Sequence, residues 1–357
     1  MIGDHQTSDR CPGALSLHLA ADGLLARVRL PGGRVRGDVL AALTRLGEVE
    51  LTSRANLQLR RVDPGVAEAI AELGLLPSAT HERVRNILAS PWSRALDPVV
   101  ATLDAALCAQ PELAELSGRF LFALDDSSAD VAGQRPDAVA VAAGPGRWWV
   151  GPAGVVVGDD EVVDELLAVA QGLLRVGDGA WRLADLPDGG EGLAARLRGG
   201  RAVVEPPAPA DLPRVGTELD VPAARLTSAA ADALAGSGAD LRITVHRSVV
   251  ALGEVALAPL VAAGLVLAPS RWGRVSACTG RPGCAKALAD VRADATAAIA
   301  AGRSTTEGDP AGLVHWSGCE RRCGRPAGAF TDVLATTDGY RTSPVELPAP
   351  RAGRDVS

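Results

Sequence analysis

Apolar and polar positions fall into the same order twice along this chain. Leu15-Ser-Leu-His-Leu and Leu24-Leu-Ala-Arg-Val-Arg-Leu alternate with the period of two of a half-buried strand. Pro31-Gly-Gly33 marks a turn, residues 39–46 take helical spacing and stop at Gly47, and residues 49–62 alternate again. Residues 64–73 form a second helical stretch ending at Gly74. Strand, strand, helix, strand, helix predicts a small α+β unit with its helices on one face of a sheet. Residues 217–270 repeat that order. Gly47-Glu-Val-Glu-Leu-Thr52-Ser-Arg-Ala-Asn-Leu-Gln-Leu lies over Ala239-Asp-Leu-Arg-Ile-Thr244-Val-His-Arg-Ser-Val-Val-Ala. The match extends to Arg85-Asn-Ile-Leu-Ala-Ser-Pro91 over Ser276-Ala-Cys-Thr-Gly-Arg-Pro282, and to Leu116-Ser-Gly118 over Trp316-Ser-Gly318. Two copies of one module imply a pseudo-twofold with a cleft between the halves, where ligands favour binding.

The remaining pattern divides the chain. Residues 138–157 alternate around Gly-Pro-Gly and predict a hairpin, and 161–175 form an amphipathic helix. Glu205-Pro-Pro-Ala-Pro-Ala-Asp-Leu-Pro reads as a stiff linker. After Phe330 the chain turns polar and proline-rich, and the last ten residues are expected to lack fixed structure. The expected parts are a half-domain at 11–78, a lobe at 79–202, a linker at 203–216, a second half-domain at 217–270, a second lobe at 271–340 and a flexible tail at 341–357.

Composition narrows the class. The 357 residues are 47% hydrophobic and 22% charged, as in a globular protein. A net charge of −7 argues against a nucleic-acid partner. No apolar run is long enough to span a bilayer, and Met1-Ile-Gly-Asp-His lacks the basic start of an export signal, so a cytoplasmic protein with reduced thiols is expected. Lys286 is the one lysine, so any anion site must be built from arginine.

Four of the six cysteines fall between residues 276 and 326, in Cys278-Thr-Gly-Arg-Pro-Gly-Cys284 and Cys319-Glu-Arg-Arg-Cys323. C-x5-C is too wide for the usual zinc pairs, and reduced thiols argue against disulfides. Flanking glycine and proline let backbone approach a bulky cluster, so Cys278, Cys284, Cys319 and Cys323 are candidate [4Fe–4S] ligands. Cys11 and Cys108 have no partner at motif spacing. In Thr52-Ser-Arg54-Ala-Asn56-Leu-Gln58-Leu-Arg60, strand alternation places Arg54, Asn56, Gln58 and Arg60 on one face, opposite Leu57 and Leu59. Such a face can grip carboxylates through guanidinium forks; a solvated sheet face is the competing reading.

C-x5-C followed by C-x3-C resembles the signature of the sirohaem/[4Fe–4S] sulfite and nitrite reductase superfamily. The resemblance implies an α+β fold of two ferredoxin-like half-domains, related by a pseudo-twofold, with cofactor-binding α/β lobes. It implies that Thr52, Arg54 and Gln58 hold tetrapyrrole carboxylates and a small anion, with Asn56, Arg60, Arg85, Asn86 and Arg119 in the same site. Arg54, Arg85 and Arg119 would act over the iron centre. Cys323 would also touch a sirohaem iron. Family reductases carry two lysines where Gly118-Arg119-Phe-Leu121 stands here, and Leu121 replaces one of them. The short chain, the Ser-Arg-Ala-Asn stretch and the missing lysine resemble the precorrin-3B synthases of aerobic cobalamin biosynthesis. That branch implies O2-dependent hydroxylation of precorrin-3A at C20 with γ-lactone closure. It also implies a non-haem iron, for which His315 and His246 are candidate ligands, and an electron donor such as ferredoxin or an NAD(P)H-linked reductase. The alternatives are a small sirohaem-dependent nitrite or sulfite reductase and a non-catalytic iron–sulfur or tetrapyrrole-binding protein.

Overall fold

A computed structural model describes residues 11–302, 312–326 and 328–346. Two antiparallel five-stranded sheets form its centre. The first runs His18–Ala20, Gly23–Val28, Leu57–Arg60, Glu48–Leu51, Arg225–Leu226. The second runs Val266–Leu267, Gly216–Asp220, Ser248–Leu252, Asp240–Ile243, Arg34–Val35. Each sheet therefore ends on a two-residue strand lent by the other half of the chain. Helices Gly37–Leu46 and Ser228–Gly236 follow those lent strands and pack on each other. One core joins both sheets, with Leu40, Leu43, Leu59, Leu234, Leu241 and Ala251 all at 0% exposure.

Two lobes flank the centre. The first lobe's sheet sets Ile87–Ala89, Phe122–Asp125 and Ala138–Ala142 parallel, then adds Arg147–Gly151 and Val155–Gly158 antiparallel. Helices Asp97–Cys108 and Val162–Val176 cover its separate core of Leu103, Leu107, Phe122 and Leu166. In the second lobe Val275–Ala277, Val314–Ser317 and Phe330–Thr336 run parallel and Gly339–Val345 returns antiparallel. Helix Val291–Ala300 packs on its first two strands. The architecture is a mixed α+β fold, and among the described residues no helix is long and apolar enough to cross a membrane.

Three expectations change. Residues 49–62 are a hairpin rather than one strand: Glu48–Leu51 and Leu57–Arg60 are joined by a turn in which Ala55 takes φ 53°. Thr52 makes the turn, accepting from Asn56 N at 3.2 Å through Oγ1 while its N–H donates to Asn56 O at 2.9 Å. Thr244 does the same with Ser248, at 3.4 and 3.0 Å. Second, the polar stretch after Phe330 is a hairpin, so the expected tail begins inside a strand; residues 347–357 lie outside those described. Third, the strand beside Val275–Ala277 is Val314–Ser317, and its counterpart beside Ile87–Ala89 is Phe122–Asp125. Trp316-Ser317 thus answers in sheet position to Leu124-Asp125, not to Leu116-Ser117, and Cys278 answers to Ser90, not to Ile87. The proline-rich linker, expected to be stiff, is held to the first lobe, with Ala210 N donating to Ser127 O at 2.7 Å and Arg214 paired with Asp130 at 3.0 Å.

The two central helices cross at Gly37, where an added Cβ would stand 2.6 Å from Ala235 Cα. Overpacking there has no flexible side chain to displace. Gly37→Val should therefore lower stability by about 1–3 kcal/mol, read from the midpoint of urea unfolding at unchanged slope.

Candidate functional site

The 52–56 turn lies against the first lobe and closes one side of a 470 Å³ cavity. Strand Gly23–Val28 and the residue after it supply Arg27 and Arg29, the turn supplies Thr52, Arg54 and Asn56, and the first lobe supplies Asn86, Arg119 and Arg182. Asn56 and Asn86 knit these segments together. Asn56 Oδ1 accepts from Leu30 N at 2.8 Å, its Nδ2 donates to Asn86 Oδ1 at 3.2 Å, and Asn86 Nδ2 donates to Gly118 O at 2.8 Å.

The cavity is cationic beyond what its surroundings neutralise. Among the described residues, Arg182 pairs with Asp137 at 2.5 Å, but no carboxylate lies within salt-bridge distance of Arg27, Arg29 or Arg54. Arg29 is 3% exposed, and among the described residues its Nη1 has no hydrogen-bond partner. Burial, and next Arg27 alongside, push Arg29 down to about 9, against a partial pull upward from Cys11. Burial also lowers Arg27, and burial with Arg182 lowers Arg54. Guanidiniums desolvated together without acids are costly unless an anion joins them. Arg119 differs: it is exposed and lies over the Trp181 ring at 4.2 Å.

The cysteines gather at the other end of the first sheet's polar face. Cys278 follows strand Val275–Ala277 and Cys319 follows Val314–Ser317. These strands are parallel neighbours, so the two cysteine loops leave the same edge of the sheet. Gly318 N donates to Cys278 Sγ at 3.1 Å. The Cys323 thiol is raised by burial, then by the charges of Cys278, Cys319 and Cys284 acting on it together. Among the described residues no three His, Cys, Asp or Glu side chains are placed to hold a single metal ion. A four-iron cluster asks for something else, since each thiolate binds a different iron of the cube. Four sulfurs within electrostatic reach, and a backbone N–H already aimed at one of them, fit that group. Gly283 lets the first loop approach the sheet: an added Cβ would stand 2.9 Å from Arg60 Nη2 and 2.8 Å from Asp22 Oδ2.

Of the residues expected to bind substrate, Thr52, Arg54, Asn56, Asn86 and Arg119 line the cavity, and three do not. Arg85 forks onto Asp104 at 2.7 and 2.6 Å and donates to Leu75 O, because it is buried beside that acid. Arg60 pairs with Asp22 and donates to Gly283 O at 3.1 Å, which places it beneath the cysteine loop. Gln58 bonds Arg27 and Glu50. His315 is fully buried, with Nδ1 2.8 Å from Ser276 Oγ; burial and then Arg247 push it down to about 4. His246 lines a separate small cavity with Glu218 and Asp130. Cys11, Arg27, Arg29 and Arg182 line the arginine cavity without having been expected there. Arg27 and Arg29 were visible as the polar positions of an alternating strand, whereas nothing local marks Arg182 or Cys11.

Removing a buried, unpaired charge should help the ligand-free protein and hurt binding. Arg29→Met is expected to raise unfolding free energy by about 1 kcal/mol or more while weakening sulfate binding at least tenfold, read by urea titration and calorimetry. Cys319→Ser should leave reconstituted protein with less than half the iron and sulfide of wild type, measured by chemical assay.

No family model and no curated protein matches the chain. Among solved structures it is similar to the NirA protein of Mycobacterium tuberculosis, with a TM-score of 0.69 at 21% identity over 90% of this chain and 73% of that one. At that identity the likeness is one of fold.

Proposed function

We propose that the chain is an iron–sulfur oxidoreductase of the sirohaem reductase superfamily that acts on a tetrapyrrole, and that within it the chain is a precorrin-3B synthase-like monooxygenase. The observation that carries this reading is the cavity in which Arg29 stands buried and Arg27 and Arg54 half-buried, none of them with a carboxylate partner among the described residues. A tetrapyrrole bearing acetate and propionate arms supplies the missing charge, and guanidinium forks orient it. The paired halves with their lent strands are read as two copies of one ferredoxin-like module.

Cys278, Cys284, Cys319 and Cys323 would hold the [4Fe–4S] cluster, which supplies single electrons when bound. The chain's own part is positional. Arg27, Arg29 and Arg54 bind the carboxylate arms, Asn86 and Asn56 hold the 52–56 turn against the first lobe, and Arg119 covers the mouth from its seat on Trp181. In the overall reaction one oxygen atom of O2 enters the macrocycle at C20 and the other leaves as water. Two electrons come from the external donor, and an acetate carboxylate closes the lactone.

Leu121 weighs against reduction of a small oxyanion. It is 3% exposed and packs with Ala55, Leu88, Ala123 and Val131, so the position that carries lysine in the reductases presents no cation here. The test is anaerobic purification with a visible spectrum, iron and sulfide assays and extraction of any macrocycle. A broad brown spectrum without an extractable macrocycle, followed by oxygen-dependent product from precorrin-3A, is expected. Tightly bound sirohaem with nitrite or sulfite turnover would replace this reading by the reductase. Arg54→Ala should weaken tetrapyrrole binding at least tenfold with the cluster spectrum unchanged; equal affinity would return the arginines to a solvated face.

A further inference from the structure

Arginine cavity and cysteine loop are joined by an unbroken chain of hydrogen bonds across the first sheet. Arg27 Nη2 donates to Gln58 Oε1 at 3.0 Å, and Gln58 Nε2 donates to Glu50 Oε2 at 2.9 Å. The other Glu50 oxygen accepts from Arg292 Nη1, and Arg292 Nε donates to the carbonyl of Cys278 at 3.3 Å. Sheet register builds the row. Gln58 stands directly opposite Arg27 on one neighbouring strand and Glu50 on the other, so three side chains align on one face. Arg292 enters from the first turn of helix Val291–Ala300.

Each member sets the next. A carboxylate only accepts, so Glu50 draws the amide nitrogen of Gln58 and leaves its oxygen to face Arg27. Glu50 itself is 4% exposed and is held by Arg292, with Arg60 Nε 3.9 Å away. Buried between two guanidinium groups, it is held in place and cannot relax into water. Arg292 thus bridges the carbonyl of Cys278 and Glu50, and the Gln58 amide links Glu50 to Arg27.

We propose that Glu50 is a positioning residue that couples the charge state at the cysteine loop to anion binding in the arginine cavity. The proposal rests on the cluster and cavity assignments above. An electron entering the cluster and an anion entering the cavity carry the same sign, so each weakens the other, and by linkage the two effects are equal. No bond is made or broken in this step; one electron passes from a reduced viologen to the cluster.

The experiment uses the full chain with its cluster reconstituted. Sulfate is the anion probe, and the midpoint potential is followed by electron paramagnetic resonance at an electrode with a viologen mediator. Wild type should show a potential that falls as sulfate is added, by an amount equal to at least about fivefold weaker sulfate binding in the reduced state. Glu50→Gln, with iron and sulfide content retained, should abolish that dependence. Gln58→Leu leaves the Glu50–Arg292 pair in place and should do the same. A wild-type potential indifferent to bound sulfate overturns the coupling whether or not either variant folds. A Glu50→Gln protein as sulfate-dependent as wild type assigns the effect to the general field and overturns the role of Glu50. Absence of a cluster, or of sulfate binding in either state, overturns the functional reading and this one together.

Discussion

The constraint on which the rest depends is that neither central sheet is complete without the other. Arg34–Val35 leaves the first half to pair with Asp240–Ile243, and Arg225–Leu226 leaves the second to pair with Glu48–Leu51. The exchange fixes the two halves about a shared core, and both hairpin turns then reach the first lobe's sheet, where Ala55 and Val245 pack with Leu88 and Ala123. It also fixes which lobe each half meets. Glu50 in the first sheet pairs with Arg292 of the second lobe's helix, and Arg242 in the second sheet pairs with Asp97 of the first lobe's helix at 2.8 Å. Opposite polarity at related strand positions makes the wrong docking a meeting of like charges.

That frame gathers Arg27, Arg29, Arg54 and Arg182 around one cavity, with Arg29 buried and the other three half-buried. Leaving an ion buried without its partner costs several kcal/mol, and a fold tolerates this where the site is built for something that arrives later. The asparagine links among Leu30, Asn56, Asn86 and Gly118 hold the cavity walls in place, so charge repulsion among Arg27, Arg29 and Arg54 does not simply push them apart. Preorganised charge of this kind serves recognition of a polyanion better than it serves stability.

Much of this was legible in the sequence where period and punctuation speak. The helices ending at Gly47 and near Gly74, the helix from Val162 and the four-cysteine pattern all follow from spacing. The arginine site was legible by type more than by place. Alternation through residues 52–60 assumed a continuous strand, but the Thr52 and Asn56 bonds bend the chain there, which sends Arg54 to the first lobe while Gln58 and Arg60 stay on the sheet. Arg85 could not be distinguished from a ligand-binding arginine without knowing that Asp104 lies across from it. Arg182 and Cys11 come from distant loops, and only tertiary packing brings them to the cavity.

The two lobes close corresponding loops by different means. After strand Ile87–Ala89 comes Ser90, whose Oγ accepts from Asp126 N at 3.2 Å, in the place where Cys278 Sγ accepts from Gly318 N. The first lobe then secures its loop with Asp125, fully buried, whose carboxylate takes the N–H groups of Ala129, Val131 and Ala132 at 2.9, 3.1 and 3.0 Å. That fastening is encoded in the chain and needs nothing from outside it. On the cluster reading proposed above, the thiols of the second lobe would depend on iron and sulfide brought from outside. On that reading the second lobe would wait on the cell's metal economy while the first would not, and the yield of finished protein would record iron supply as much as gene expression.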